Sequence, residues 1–364
     1  MNGNSIRTFL GANSSEGFAS LYGPFTEHCR TVVIKGGPGS GKSGIIKKIA
    51  SEAIKRGMFT EFCHCSSDGN SLDGIRIPEK NLCIVDGTAP HITEPKYPGA
   101  MDEIFYTGQF WNGEQLQKSL PEIRELSLNI KDCFARAYRY LSAAGKITEE
   151  IRATARRTEN REKTKAFATE LLCRNTKAQN KTGEVLPRFL SAFTPQGIIV
   201  NRDTVYTLAS KVFVLDDPFG IGSVFLDAII EKALNLGHII YVFYNPLCPS
   251  VPQHVLLPEA DLGIVTANKL HNFEEQKAYR IHMTRFLNEE SCKKLHFGKE
   301  EKLIQTCIDK ALSALKTEKA YHDDLEEFYI EAMDFKKLNQ HTQKLIRTLF
   351  SENSQNTVDK GKKM

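Results

Sequence analysis

The sequence contains an internal repeat whose two copies lie 180 residues apart. The segment Phe9-Leu10-Gly11-Ala12 aligns with Phe189-Leu190-Ser191-Ala192, and His91 aligns with His271. Between positions 77 and 86, five of the ten residues are identical in the second copy, where average composition would give about one. Because such self-similarity is the signature of a repeated structural unit, the fold has to accommodate the same unit twice.

Both copies alternate strand patterns with helix patterns. The predicted buried strands are short apolar or β-branched runs, at residues 31–34, 60–63, 82–85, 212–215, 239–244 and 262–265. Amphipathic spacing predicts a helix that begins at Lys42 and ends at Gly57, and a second helix over 224–236. This alternation is typical of an α/β fold, with a mostly parallel sheet flanked by helices in each copy.

Charged, helical sequence follows the strands of each copy, from about residue 101 to 181 and from about 274 to 350. We therefore predict two domains in tandem, residues 1–185 and residues 186–350, each ending in a helical segment. The polar residues 351–364 are expected to form a disordered tail.

The composition, with 41% hydrophobic and 25% charged residues, is that of an ordinary globular protein. A net charge of +4 gives no field that would attract nucleic acid or a membrane surface, and the basic stretch 146–181 is interspersed with Glu. The first twenty residues hold one Arg and no apolar stretch typical of a secretory signal, so we expect a cytoplasmic protein. Most of the nine cysteines, Cys83 and Cys133 among them, lie in apolar patterns and are expected to be reduced core residues.

A glycine-rich motif in the first copy fits the pattern G-x-x-x-x-G-K-[ST] in full. It lies between a predicted strand and a predicted helix, so its backbone N–H groups and the helix N-terminus can both point at phosphate oxygens. Lys42 is expected to reach the β- and γ-phosphates of ATP, and the Ser43 hydroxyl is expected to bind Mg²⁺. The predicted nucleotide-binding residues are Gly36, Gly37, Pro38, Gly39, Ser40, Gly41, Lys42, Ser43 and Gly44. Residues 36–43 are called the first loop below.

Asp86 is the predicted second ligand of Mg²⁺. It ends the apolar run 82–85, and an acid at the end of a buried strand commonly completes the magnesium site of a phosphate-binding loop. The alternative is that Asp86 caps a turn before Gly87 and Thr88.

Several polar residues follow predicted strands and are expected at the carboxyl edge of the sheet, where open α/β sheets bind ligands. The candidates for orienting a water molecule or an acceptor hydroxyl are His64, Asp68, Asp73 and His91. A turn-forming role is an equal alternative for the Asp and Ser residues of this segment. The predicted catalytic residues are Lys42, Asp86, Asp68 and His91.

The second copy has lost the motif. Its equivalent loop, residues 216–224 and called the second loop below, begins Asp216-Asp217, and Asp86 aligns with Thr266. A carboxylate about 4 Å from a phosphate charge costs roughly 4 kcal/mol at an effective dielectric constant of about 20. We therefore expect that the second copy does not bind nucleotide in the usual way.

The chain resembles, over essentially its whole length, a family of bacterial two-repeat P-loop ATPases whose role is obscure. The resemblance is carried by residues 35–43, His64-Cys65-Ser66-Ser67-Asp68, Asp86-Gly87-Thr88-Ala89-Pro90-His91 and Pro95-Lys96-Tyr97-Pro98-Gly99. It implies tandem P-loop NTPase domains that bind and hydrolyse ATP. Both copies often carry a P-loop in that family, so the second loop departs from the family's pattern.

The leading hypothesis is an Mg-ATP-dependent NTPase that acts as a switch or motor on an unknown partner. The alternatives are an ATP-dependent small-molecule kinase, with its acceptor near residues 66–73, and a scaffold that binds nucleotide without hydrolysing it. The second copy is predicted to be an intramolecular partner of the first. Arg202, Lys211 and Arg280 are its candidate donors of a cation to the transferred phosphoryl group.

Overall fold

The structure is a computed structural model that describes residues 5–273 and 279–351, so most of the predicted tail lies outside the described residues. The first half forms, in chain order, β1 (Ser5–Phe9), β2 (Gly11–Ser14), β3 (Gly17–Ser20), α1 (Tyr22–Thr26), β4 (Arg30–Lys35), α2 (Lys42–Lys55), β5 (Thr60–His64), β6 (Leu72–Ile77), β7 (Leu82–Asp86), β8 (Glu103–Tyr106), α3 (Gly113–Lys118), α4 (Leu120–Arg156) and α5 (Arg161–Asn175). The second half forms β9 (Glu184–Arg188), β10 (Ser191–Thr194), β11 (Gly197–Val200), α6 (Arg202–Leu208), β12 (Lys211–Asp216), α7 (Ser223–Asn235), β13 (Ile239–Tyr244), β14 (Pro252–Leu257), β15 (Leu262–Ala267), β16 (Tyr279–His282), α8 (Glu289–Cys292), α9 (Gly298–Ala332) and α10 (Phe335–Phe350).

Two six-stranded mixed sheets with the same strand order form the centre of the molecule. The first runs β1-β5-β6-β7-β4-β8, and the second runs β9-β13-β14-β15-β12-β16. The neighbours of β6 and of β14 are antiparallel to them, and the remaining pairs of both sheets are parallel. The predicted α/β fold with mostly parallel sheets flanked by helices is confirmed. The shared order is compatible with a tandem duplication.

The central strands are apolar on both faces because helices cover both sides of the sheet. Val32 and Ile34 of β4 pack towards α2, and Val33 packs on the other face with Tyr22 and Phe25 of α1. Helix α2 begins at Lys42 as predicted, and Gly57 takes up a left-handed φ of 75° after its last turn.

Cys83 corrects one sequence prediction. It is buried in β7 as expected, but it forms a disulfide with Cys29, with Cα atoms 6.2 Å apart, and is therefore not a reduced core residue. Cys133 is buried with a free thiol, as predicted.

The two segments predicted to be wholly helical each contain a strand. Strand β8 lies within 101–181 and β16 lies within 274–350. Each is the last strand of its sheet and, among the described residues, pairs only with β4 or with β12. Such an edge strand is exposed on one side, so it has no continuous apolar run by which the sequence could reveal it.

The helical segment that follows each sheet packs on the sheet of the other repeat. Ala168 and Leu172 of α5 join the core around Phe225 of α7, and Leu345 and Leu349 of α10 join the core around α2. Helices α4 and α9 lie side by side between these two cores. The predicted boundaries 1–185 and 186–350 follow the repeat along the chain, whereas in space each repeat completes the core of the other.

The contact between the repeats has the pattern of a two-fold axis. Phe9 and Phe189, which are equivalent in the repeat, exchange two backbone hydrogen bonds, of 2.9 and 3.0 Å. A surface that meets its own copy in this reciprocal way is what a symmetric dimer uses. The chain therefore resembles a dimer whose two members are covalently joined.

Candidate functional site

The first loop connects the end of β4 to the start of α2. Gly39 and Gly41 take up φ values of 64° and 83°, a left-handed backbone that favours glycine over residues with a Cβ atom. Gly41 is also the N-cap of α2, so the loop curls directly over the helix N-terminus. This brings backbone N–H groups and the positive end of the helix dipole to the same place, which suits an anion.

Lys42 and Asp86 lie close together at one edge of the first sheet. β4 and β7 are neighbouring parallel strands, with Ile34 opposite Asp86, so both strands end at the same edge of the sheet. Lys42 Nζ lies 3.6 Å from Asp86 Oδ2 and donates hydrogen bonds to the carbonyl oxygens of Gly36 and Gly37, at 3.2 and 2.7 Å.

The two carboxylate oxygens of Asp86 have different surroundings. Oδ1 accepts from the backbone N–H of Thr88 at 2.9 Å and from the Thr88 hydroxyl, which is the turn-capping role considered as an alternative. Oδ2 faces Lys42. Ser43 Oγ, on the second residue of α2, accepts a hydrogen bond of 3.0 Å from the N–H of Leu72. Asp86 can therefore cap the turn with Oδ1 and still present Oδ2 to the first loop.

Asp73 and His91 form a buried pair beside Asp86. His91 Nε2 lies 3.8 Å from Asp73 Oδ1, and the His91 ring packs against Tyr22 with ring centroids 4.8 Å apart. Burial raises the pKa of Asp73, the nearby His91 lowers it, and the negative charge of Asp86 raises it further. Neither ring nitrogen of His91 has a hydrogen-bond partner within residues 5–273 and 279–351.

His64 and Asp68 instead bond within their own loop. His64 Nδ1 lies 3.2 Å from the carbonyl oxygen of Gly69. Asp68 accepts from the N–H of Asn70 and from the Ser71 hydroxyl, both at 3.0 Å. These contacts are those of the turn-forming alternative, and the catalytic role of Asp68 stays a prediction.

Helices of the second repeat cover the first loop. Glu326 Oε1 of α9 accepts a hydrogen bond of 3.2 Å from the N–H of Gly39. A Cβ atom added to Gly37 would lie 2.8 Å from the Tyr329 ring, and one added to Gly39 would lie 2.6 Å from the carbonyl oxygen of Glu326. The glycines therefore also allow α9 to approach closely. Sequence reasoning did not find Glu326, because no motif links it to a loop so distant in the chain.

A lysine and a histidine of the second repeat also lie near this site, but they are not the predicted cation donors. Lys319 of α9 lies near Asp68, and His322 of α9 lies near Lys42. Burial lowers the pKa of His322, which favours its neutral form. The predicted donors contact the second repeat instead. Arg202 lies over Phe273, Lys211 over Phe213 and Tyr279, and Arg280 donates to the carbonyl oxygen of Phe273.

The second loop binds its own carboxylate. Asp217 accepts from the N–H groups of Ile221 at 3.0 Å and Gly222 at 2.7 Å, and it is only 3% exposed. Burial raises the pKa of Asp217, while these backbone donors lower it. The N–H groups that a phosphate would need are thus already occupied by an acid of the same loop.

Comparisons of the chain with family models, with curated proteins and with solved structures found no match. None of the helices within residues 5–273 and 279–351 has both the length and the apolar character needed to cross a membrane. The candidate site therefore has to be interpreted from its own geometry and chemistry.

Proposed function

We propose that the first loop binds the phosphates of Mg-ATP and that the protein hydrolyses ATP. The observation that supports this most is the 3.6 Å approach of Lys42 Nζ, at the start of α2, to Asp86 Oδ2, at the end of the neighbouring strand. A lysine of a glycine-rich loop and an acid on the adjacent strand are the two charged groups that phosphoryl transfer on such a loop requires. In this proposal Lys42 leaves the carbonyl oxygens of Gly36 and Gly37 and pairs with phosphate oxygens.

The residues beside the first loop fit a magnesium ion. Mg²⁺ prefers oxygen ligands and usually takes only one or two from the protein, with the rest from water and phosphate. Ser43 Oγ and Asp86 Oδ2 are such oxygens, and Oδ2 is the one that the turn at Thr88 leaves uncommitted. The ion would neutralise negative charge on the phosphates.

Asp73 and His91 are suited to hold the attacking water. The His91 ring nitrogens have no hydrogen-bond partner within the described residues, so one of them can bond to water while the other is oriented by Asp73. Burial raises the pKa of Asp73, so its carboxylate is a stronger base than an exposed aspartate. We assign Asp73 and His91 together as the acceptor of the water's proton.

Glu326 connects the site to the second repeat. Its carboxylate occupies the Gly39 N–H, a group that we assign to a phosphate oxygen, so nucleotide and Glu326 compete for the same donor. Because α9 packs along α4, a displacement of Glu326 would also shift the helix pair that joins the two repeats. This competition favours a switch, in which nucleotide binding selects a second arrangement of α9.

The test is an assay of phosphate release from ATP by the full chain in the presence of Mg²⁺, with and without a panel of metabolites. Release without an acceptor supports ATP hydrolysis, and Lys42→Ala should abolish it while the exposed neighbour Lys47→Ala should not. Turnover only with an added metabolite would replace hydrolysis by the kinase hypothesis, and tight binding without turnover would replace it by the scaffold hypothesis. Absence of ATP binding would contradict all three.

A further inference from the structure

A cavity of about 410 Å³ opens beside the second loop, at the carboxyl edge of the second sheet. Its walls are formed by α4, the second loop, the segments around 245–253 and 266–272, and α9. The volume falls within the range of small-molecule sites, about 300–1,000 Å³. The proposed nucleotide site on the first loop does not include this cavity.

Most of the cavity wall is apolar. The apolar residues that line it include Ile151, Phe219, Leu247, Val251, Leu270 and Ile304. They come from several different elements of the fold, including α4, α9 and the second loop. Such a wall suits the apolar or aromatic body of a small molecule.

Within the described residues, the charged side chains of the cavity wall have polar partners, with the exception of Arg152. Asp217 is held by backbone N–H groups, and Asp216 lies 2.8 Å from His282. Glu301 pairs with Lys269, and Arg280 donates to the carbonyl oxygen of Phe273. Arg152 of α4 makes no hydrogen bond or ion pair with any residue that the structure describes, yet it lines the cavity. Arg152 is therefore the charged side chain of the wall that remains available to a ligand.

Gln253 supplies an acceptor without a partner. It is 3% exposed and lines the cavity, and its side-chain nitrogen lies 2.8 Å from His271 Nδ1. Burial lowers the pKa of His271 to about 4, so the neutral ring accepts from Gln253 and donates from Nε2 to Ser191 Oγ at 2.6 Å. This chain fixes the amide and leaves Gln253 Oε1 with no partner in the described part of the chain. A buried acceptor of this kind is costly unless a ligand or water donates to it.

We propose that this cavity binds a small organic anion. Its apolar body would pack among the wall residues, its carboxylate or phosphate would pair with Arg152, and a hydroxyl or N–H group would donate to Gln253 Oε1. The site is separate from the proposed ATP site, and its occupancy does not depend on nucleotide hydrolysis.

The test uses the full chain and three probes of one shape: 4-hydroxyphenylacetate, 4-hydroxyphenyl phosphate and the uncharged 4-hydroxyphenylacetamide. Ligand-observed NMR titrations give their affinities. At least one anion should bind at least about tenfold more tightly than the amide, and Arg152→Gln should remove that advantage. Preference for one anion identifies the natural head group as a carboxylate or a phosphate.

Two further variants make the result specific to the cavity. Val251→Trp, which fills the cavity, should abolish binding of all three probes, and near-ultraviolet circular dichroism checks that it folds. Arg139→Gln, an exposed arginine on the same helix, should change nothing. The proposal is overturned if neither anion binds to the wild-type chain, or if Arg152→Gln binds the anions as tightly as the wild type does.

Discussion

The first and second loops occupy equivalent positions in two sheets of the same strand order, but different carboxylates occupy their backbone N–H groups. At the first loop, the acid is Glu326, which belongs to a helix of the other repeat. At the second loop, the acid is Asp217, a residue of the loop itself. An acid on another helix can be displaced by a phosphate. An acid within the loop stays at a nearly fixed distance from the backbone N–H groups that it occupies. The comparison shows how one framework can give a loop that is open to exchange and one that is permanently filled.

The side chains that the covering helices bring to the two loops differ in the sign of their charge. Helix α9 brings Glu326 to the glycine-rich first loop. Helix α4 brings arginines to the acidic second loop, where Arg156 donates to Ser223 and Arg152 lines the cavity. Each loop is therefore contacted by a long helix of the other repeat, through an acid at the first loop and through arginines at the second.

Because the helical segment of each repeat packs on the other repeat, truncation of the chain would disturb the core that remains. A chain ending near residue 181 would lose α10, whose Leu345 and Leu349 complete the core around α2. It would also lose Arg188, the partner of a buried acid in β5. Failure of such a fragment to fold would not report on catalysis, so the comparison between the loops is better tested by single substitutions in the full chain.

The largest expected effect is on the free energy of unfolding. It comes from a buried ion pair between the repeats that has no counterpart at the equivalent positions. Arg188 forms a bidentate pair with Glu61, at 2.5 and 3.1 Å, and both side chains are at most 1% exposed. The equivalent residues across the repeat are Thr8 and Tyr241, which cannot form such a pair. Arg188→Met should lower the free energy of unfolding by about 3–5 kcal/mol, because it leaves the Glu61 charge buried and unpaired.

Denaturant titration of the full chain measures this loss. Replacing both partners by Met should recover most of the stability, since no charge is then left in the interface. A loss below about 1 kcal/mol for Arg188→Met would mean that the pair is hydrated and does not stabilise the interface.

Asp73 tests the chemical difference between the repeats, because Gln253 holds its position in the second. On the proposal that Asp73 is the base, Asp73→Asn should lower kcat for ATP hydrolysis about 100-fold or more. The carboxylate is the active form, so the wild-type rate should fall as the pH drops through the raised pKa of Asp73, and Asp73→Asn should lose this acid limb. Gln253→Asn is the matched control. An unchanged kcat in Asp73→Asn would remove Asp73 from the mechanism.

Metal dependence gives a smaller contrast between the loops. Ser43→Ala and Asp86→Asn should each raise the Mg²⁺ concentration for half-maximal turnover by about tenfold or more, because both are proposed to hold the ion. Ser223→Ala, the equivalent change in the second loop, should leave the Mg²⁺ titration unchanged. If Asp86→Asn behaves as the wild type does, Asp86 serves only to cap the turn at Thr88.

The substitution of Glu326 is expected to have the smallest effect, and it is the one change expected to tighten ATP binding. Glu326→Ala removes the acid that competes for the Gly39 N–H, so ATP should bind about tenfold more tightly. Glu327→Ala, a change of an exposed neighbour on the same helix, is the control. Weaker ATP binding in Glu326→Ala would show that Glu326 helps to hold the nucleotide and does not compete with it.

The sequence predicted the features that depend on neighbouring residues. The start of α2 at Lys42 and the buried strand that leads to Asp86 follow from a local motif and from an apolar run. It did not predict the cover by Glu326 or the exchange of α5 and α10, because contacts between distant segments leave no local pattern. Nor did it predict the disulfide of Cys29 and Cys83, since pairing depends on how the strands are brought together.

The residue types of the second loop indicate only part of the physical reason why this loop is not expected to bind nucleotide. The acids at 216 and 217 were expected to prevent nucleotide binding by repelling phosphate from the entrance of the loop. In the structure Asp217 turns inward and takes the backbone donors, while Asp216 pairs with His282. The direction of a short side chain within a loop depends on backbone angles that the residue types alone do not specify.

We propose that the first loop is the nucleotide site and that the second loop is closed by its own acid. Titration calorimetry of the full chain with a non-hydrolysable ATP analogue and Mg²⁺ tests both parts at once. We expect one site per chain in the wild type and no site in Lys42→Ala, while Ser223→Ala keeps one site of wild-type affinity. Two sites per chain in the wild type, or a site of unchanged affinity in Lys42→Ala, would contradict the account.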